Sequence, residues 1–194
     1  MSPQPINLLV ALRAEAKPLI RALGLKRRQP DGVCPIYASN GVRLAMSGPG
    51  KVSMQQAIHL LHQEGVENCH WLNLGIAGHA SLALGSCLQA TAVTDSRSGE
   101  RWRLQPVSGI EAIQGELRCV AEPESVYGEA VGYDMESGGF AATLASLGLI
   151  EHAHILKVIS DNPQQPARQI NARMVEALIG QQLHVIHSLI EKLR

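Results

Sequence analysis

The chain has 194 residues, of which 45% are hydrophobic, with 17 basic and 17 acidic residues and a formal net charge of zero. That size and composition suit one compact domain over residues 1–194 with a substantial core, and the charge balance gives no global field toward nucleic acid or an anionic membrane surface. The four cysteines (Cys34, Cys69, Cys87, Cys119) are too scattered for a Cys-x-x-Cys group, Met1 to Pro5 lacks a signal peptide's basic start, and no apolar run nears the roughly 20 residues that span a bilayer. A soluble cytoplasmic protein with reduced thiols is expected.

Ile6 to Leu12 is an apolar run of Ile, Leu, Val and Ala broken only by Asn7, as in a strand buried on both faces of a mostly parallel sheet. Glu15 to Leu23 follows as a helix, with Gly24 placed to end it. Cys34 to Ala38 and Val42 to Met46 flank Ser39-Asn40-Gly41, and Asn-Gly between apolar runs predicts an antiparallel hairpin. Ser47-Gly48-Pro49-Gly50-Lys51 then leads into a helix over Val52 to His62. This glycine turn is not a Walker loop, because Val52 stands where Ser or Thr is required; nor is it a dinucleotide loop, because Ser53 replaces the third Gly. Its backbone amides remain able to approach a ligand oxygen, but taken by itself an ordinary strand-to-helix turn is the better reading of the glycines.

Trp71 to Ile76 reads as a strand ending in Gly75-Ile76-Ala77-Gly78-His79, where small residues allow close backbone approach. Cys87 to Thr94 is a further strand finishing at Asp95, and Arg101 to Leu104 a short continuation or edge strand. Between Gln105 and Val126 the pattern supports one short strand near Leu117 to Ala121 within a loop over the sheet. Glu129 to Asp134 is the next strand, Ser137 to Leu147 a tightly packed helix, and His154 to Ile159 a buried strand that must stop at Ser160-Asp161-Asn162-Pro163. Asp161 should therefore emerge at a strand's carboxyl end, where open α/β sheets place ligands. Gln169 to Leu193 carries a helical stripe with an irregularity at Gly180. The alternation predicts a three-layer α/β sandwich, a central mixed and mostly parallel sheet flanked by helices.

Three carboxylates fall at these strand ends, and each has a plainer reading. Asp161 could simply end a strand, Glu136 could cap the following helix, and Glu15 could be a solvated first-turn acid favoured by the helix dipole. The pairs His59/His62, His184/His187 and His152/His154 have ligand-like spacing, but no carboxylate or cysteine pattern completes a site. They read as surface or interface histidines, and neither metal nor cofactor is expected.

Four motifs in order, Ala11-Leu12-Arg13-Ala14-Glu15, Ser47-Gly48-Pro49-Gly50-Lys51-Val52, Asn73-Leu74-Gly75-Ile76-Ala77-Gly78, and Asp134-Met135-Glu136 with Ile159-Ser160-Asp161, resemble the purine nucleoside phosphorylase and uridine phosphorylase superfamily. Within it, the methylthioadenosine/S-adenosylhomocysteine nucleosidases are the most similar branch. The resemblance implies cleavage of an N-glycosidic bond to a purine-like base. It implies Asp161 as the acid that protonates the leaving base, Glu136 on the ribose hydroxyls, Met135 against the sugar face and Glu15 on the attacking water. Gly48 and Gly78 would bring backbone close, Ile76 would occupy a position that contacts phosphate or water, and Lys157 would supply a cation where Arg is common. It also implies a homo-oligomer, most simply a dimer, whose partner helps cover the site.

Two departures bear on activity. Ile76 stands where a serine is common, and Asn73 where many phosphorylases carry a phosphate-binding Arg. The stretch between Asp95 and Val126 is short where the family builds a wall against the base, and the chain's single Phe, Phe140, lies elsewhere. A hydrolase is therefore expected ahead of a phosphorylase, and that ahead of a non-catalytic nucleotide-binding relative.

Overall fold

The computed structural model describes residues 4–28, 34–66, 68–124 and 126–194. Met1 to Pro3, part of the start read as lacking a signal peptide, and Ser125, inside the segment read as a loop, lie outside the described residues. The elements are β1 (Ile6–Val10), α1 (Arg13–Ala22), β2 (Lys26–Arg27), β3 (Ile36–Ser39), β4 (Val42–Met46), α2 (Lys51–Gln63) and β5 (His70–His79). There follow β6 (Cys87–Asp95), β7 (Arg101–Arg103), β8 (Ile113–Cys119), β9 (Gly132–Asp134), α3 (Ser137–Ser146), β10 (Ala153–Asp161), α4 (Ala172–Gln181) and α5 (Leu183–Leu193).

β1 pairs parallel with both β4 and β5, and β5 pairs parallel with β10. These four strands bring their carboxyl ends to one edge, where Ser47, Ala11, Ile76 and Asp161 follow one another across the sheet. β10 continues antiparallel to β6, β6 runs parallel to β8, and β8 runs parallel to β9. β9 returns antiparallel to the last residues of β5, with Tyr133 opposite Gly78. The sheet thus curls until Tyr133 and Asp161 flank Gly78 at the end of β5. β3 and β4 form the expected hairpin, with Asn40 at φ 47° and Gly41 at φ 75°, the left-handed pair that a tight Asn-Gly turn demands.

Helices cover both faces of the mixed sheet, in agreement with the three-layer expectation. α2 and α3 pack together over Trp71, Ile155 and Ile159, while α1, α4 and α5 cover Leu8, Leu72 and Val158. Four elements differ from the sequence reading, the first being β2, a two-residue strand antiparallel to β3 that the sequence pattern did not predict. β9 spans only three residues, because just Gly132 to Asp134 find partners on β8 and β5. β8 begins at Ile113, its register set by β6 although its outer residues are exposed. The carboxyl-terminal stripe is two helices: Gln182 leaves helical geometry, donates its N–H to the Ile179 carbonyl, and lets α5 turn its own apolar face inward. Among the described residues no helix is long and apolar enough to cross a membrane.

Candidate active site

A cavity of about 260 Å³ opens at the carboxyl edge of β1, β5 and β10, lined among others by Leu12, Glu15, Pro49, Ile76, Met135, Glu136 and Asp161. Glu15 is 2% exposed. Its Oε2 accepts from the amides of Ala11 (3.0 Å) and Leu12 (2.8 Å), and its Oε1 from that of Ile76 (3.0 Å). Glu15 therefore ties the start of α1 to the end of β5, and its burial excludes the solvated first-turn reading. A Cβ at Gly75 would come within 2.7 Å of Glu15 Oε1, so a glycine there admits the carboxylate. Burial raises the Glu15 carboxyl to about 7, Lys157 and the backbone amides acting against it and Glu136 with it.

Glu136 does not cap α3 with its side chain. Asp134 does: its Oδ2 accepts the Ser137 amide at 3.0 Å and its Oδ1 accepts the Ser137 hydroxyl at 2.5 Å. The Glu136 carboxylate instead crosses to the glycine turn, where Oε1 accepts the Gly50 amide at 2.8 Å. Gly48 and Gly50 sit at φ 84° and 89°, a left-handed geometry that glycine adopts without strain and that aims the Gly50 amide at Glu136. Burial raises the Glu136 carboxyl, opposed by Lys157 and reinforced by Asp134.

Asp161 closes β10 after an irregularity in its register with β5, which passes over Ser160 and sets Asp161 opposite Gly78. Asp161 is 5% exposed; its Oδ1 accepts the Ser160 hydroxyl at 2.5 Å, and its Oδ2 accepts the hydroxyl of Tyr127. A side chain at position 78 would collide with both Asp161 and Tyr127, which accounts for Gly78.

Other sequence-predicted residues lie differently. Lys157 is not among the cavity-lining residues: its side chain is buried beneath the site, with Nζ 2.9 Å from Asp134 Oδ2. Burial would lower its pKa, but Asp134, Glu136 and Glu15 together outweigh burial and raise it. Asn73 is buried deeper in β5, donating weakly to the Leu9 carbonyl at 3.4 Å. Gly48 shapes the turn, but Pro49 is the residue that lines the cavity. Ile76 meets the cavity while its amide serves Glu15. His59, His62 and His184 are exposed and His152 partly so, whereas His154 is buried and hydrogen-bonds His70 at 3.1 Å, contrary to a surface reading. Sequence reasoning missed Asp134 as cap and ion-pair partner, and Tyr127 as the partner of Asp161. Asp134 carried a readable signal, three residues before Ser137 at a helix start; Tyr127 carried none.

This architecture is the nucleoside phosphorylase fold, in the form found in nucleosidases. Among solved structures, the chain is similar to the 5′-methylthioadenosine nucleosidase of Arabidopsis thaliana in its apo form, with a TM-score of 0.86 at 13% identity over 100% of this chain and 97% of that one. It is also similar to the 5′-methylthioadenosine/S-adenosylhomocysteine nucleosidase of Helicobacter pylori bound to butyl-thio-DADMe-Immucillin-A, with a TM-score of 0.80 at 16% identity over 100% of both chains. The native futalosine hydrolase of Helicobacter pylori gives a TM-score of 0.78 at 16% identity over 98% of both chains. No protein-family model and no curated protein sequence matches the chain.

Proposed function

We propose that the protein hydrolyses the N-glycosidic bond of a purine-type or modified nucleoside. The observation that carries the proposal is the convergence of Glu15, Glu136 and Asp161, from three separate parts of the chain, on one small cavity. Asp161, which accepts on both oxygens while no base is bound, would carry a proton in the substrate complex and give it to the base nitrogen as the C1′–N bond breaks and the bonding pair leaves with the base. Glu136, with one oxygen held by Gly50, would accept from the ribose hydroxyls with the other and stabilise the cationic sugar, against which Met135 lies. Water would attack C1′, and its proton would pass to Glu15, whose pKa of about 7 suits an acceptor poised at neutral pH. The products are free base and free sugar.

The electrostatics favour water over phosphate as nucleophile. No Lys or Arg lines the cavity among the described residues, while Glu15, Glu124, Asp134, Glu136 and Asp161 do, and the nearby cation of Lys157 is engaged by Asp134. A phosphate dianion there would meet like charge without a partner. The test is a panel of purine and modified nucleosides incubated with and without phosphate, with free base followed chromatographically. Base release at equal rate without phosphate is expected. A strict phosphate requirement would make the protein a phosphorylase, and no release from any nucleoside would remove the enzymatic reading.

The same proposal takes the chain as one domain working in the cytoplasm on a small-molecule nucleoside, with neither metal nor cofactor, as a homodimer whose partner covers the cavity. The four free, buried cysteines suit a reducing compartment. Val52 supports the dimer: it is 66% exposed on the first turn of α2, three residues from the cavity-lining Pro49. Light scattering during gel filtration at micromolar concentration checks this, and a monomer mass with full activity would refute the shared site.

A further inference from the structure

Tyr127 lies in the segment between β8 and β9, and its hydroxyl donates to Asp161 Oδ2. Oδ1 of the same carboxylate accepts from Ser160, which is fully buried. Each oxygen therefore already accepts one hydroxyl, and a ligand donor that seeks the lone pair of Oδ2 used by Tyr127 has to replace it. The arrangement is built into the fold. A Cβ at position 78 would lie 2.7 Å from Tyr127 Cε1 and 2.9 Å from its hydroxyl, so the glycine on β5 is what allows phenol and carboxylate to meet. The Tyr127 ring packs edge-on against Tyr133 with centroids 5.5 Å apart, and the Tyr133 hydroxyl accepts the Glu129 amide at 3.1 Å, which ties this segment to β9.

We infer that Tyr127 is a positioning residue that holds Asp161 Oδ2 until a purine base takes its place, so that base entry requires release of the Tyr127 hydroxyl. The inference rests on the nucleosidase reading of the site. A hydroxyl donating to a buried carboxylate competes with any ligand atom that needs the same oxygen, and its loss is subtracted from the ligand's own binding. Burial raises the Tyr127 phenol, and its hydrogen bond to Asp161 and the negative charge there raise it further, so the group stays a donor throughout the neutral range. Tyr127 consequently sets how tightly the base is held, and acts only through Asp161.

Tyr127→Phe removes the competing hydroxyl while keeping the ring and its packing on Tyr133. Free adenine or hypoxanthine, titrated by calorimetry, should bind this variant about tenfold tighter than the wild type, the size of effect expected for one charge-assisted hydrogen bond. KM for a cleaved nucleoside should fall with little change in kcat, a split that a merely structural role would not produce. In an Asp161→Asn background the same substitution should change base affinity much less, because a neutral amide is a weaker acceptor for the phenol. Equal binding by wild type and Tyr127→Phe, or no binding by either, overturns the inference; weaker binding by the variant also overturns it and makes Tyr127 part of the base wall. Cleavage by the wild type, followed in parallel, separates the two readings. Cleavage with unchanged affinities removes the exchange alone, whereas tighter base binding by Tyr127→Phe without any cleavage removes the nucleosidase reading and leaves the exchange standing.

Discussion

Lys157 Nζ lies 2.9 Å from Asp134 Oδ2, and both side chains are 1% exposed. The pair joins β10 to β9 directly beneath the cavity, and Asp134 also caps α3 through Ser137. Glu136 lies two residues beyond one partner and Asp161 four beyond the other, so this buried contact holds two of the site's carboxylates in register.

Lys157→Met should therefore destabilise the fold by about 3–5 kcal/mol, since it leaves Asp134 buried without its counter-charge. Urea denaturation near neutral pH measures this. Adding Asp134→Asn to the variant should recover part of the loss, because the orphaned charge is then gone; no recovery would mean that the lysine's packing matters more than its charge.

Glu15 makes stability pH-dependent. Its carboxyl has a folded pKa of about 7 against 4.5 for the free group. A group raised in this way contributes stability that is fully present below about 4.5 and lost as pH rises through about 7, amounting to about 3 kcal/mol. Denaturation midpoints should fall between pH 5 and 8, and Glu15→Gln should flatten that slope. The same ionisation should make cleavage by the wild type rise with pH through about 7, and a rate that falls there would remove Glu15 as proton acceptor.

Asp161→Asn should leave the thermal midpoint nearly unchanged and reduce glycosidic cleavage by about 10²–10⁴-fold, because an amide of the same shape cannot protonate the departing base. Near-normal turnover would take Asp161 out of the mechanism.

Glu136→Gln should lower kcat/KM at least about tenfold by replacing a charged acceptor with a neutral one opposite the sugar hydroxyls. Its effect on stability should be small, since Asp134 is the cap of α3. A variant that loses stability and keeps its kinetics would return Glu136 to a structural role.

Gly78→Ala should impair activity more than stability. The new methyl would meet the side chains of Tyr127 and of the cavity-lining Asp161, whereas the backbone dihedrals at position 78 need no left-handed geometry. A crystal structure of the variant with Asp161 unmoved would contradict this account.

Local pattern alone was enough for several features of the molecule. Ile6 to Val10 is apolar at every position but Asn7 because its strand is covered on both faces, and Asn40-Gly41 can close a hairpin because those two residues tolerate positive φ. Gly75, Gly78 and the run Ile159-Ser160-Asp161 are likewise local, and they place an acid at a strand end whatever surrounds it. The tertiary structure decided what each acid does. Nothing near Glu15 in sequence announces that Ile76, 61 residues away, supplies one of its three amide donors. Nor does anything near Glu136 announce that its partner is Gly50, which left Asp134 to cap the helix. Lys157 looked like a ligand-binding cation until the curl of the sheet set it against Asp134, and Tyr127 became visible only when that curl carried its segment over β5. The physical reason is that hydrophobic periodicity and turn chemistry act over a few residues, whereas the partner of a buried charge is chosen by which strands become neighbours, and that choice belongs to the packing of the whole sheet.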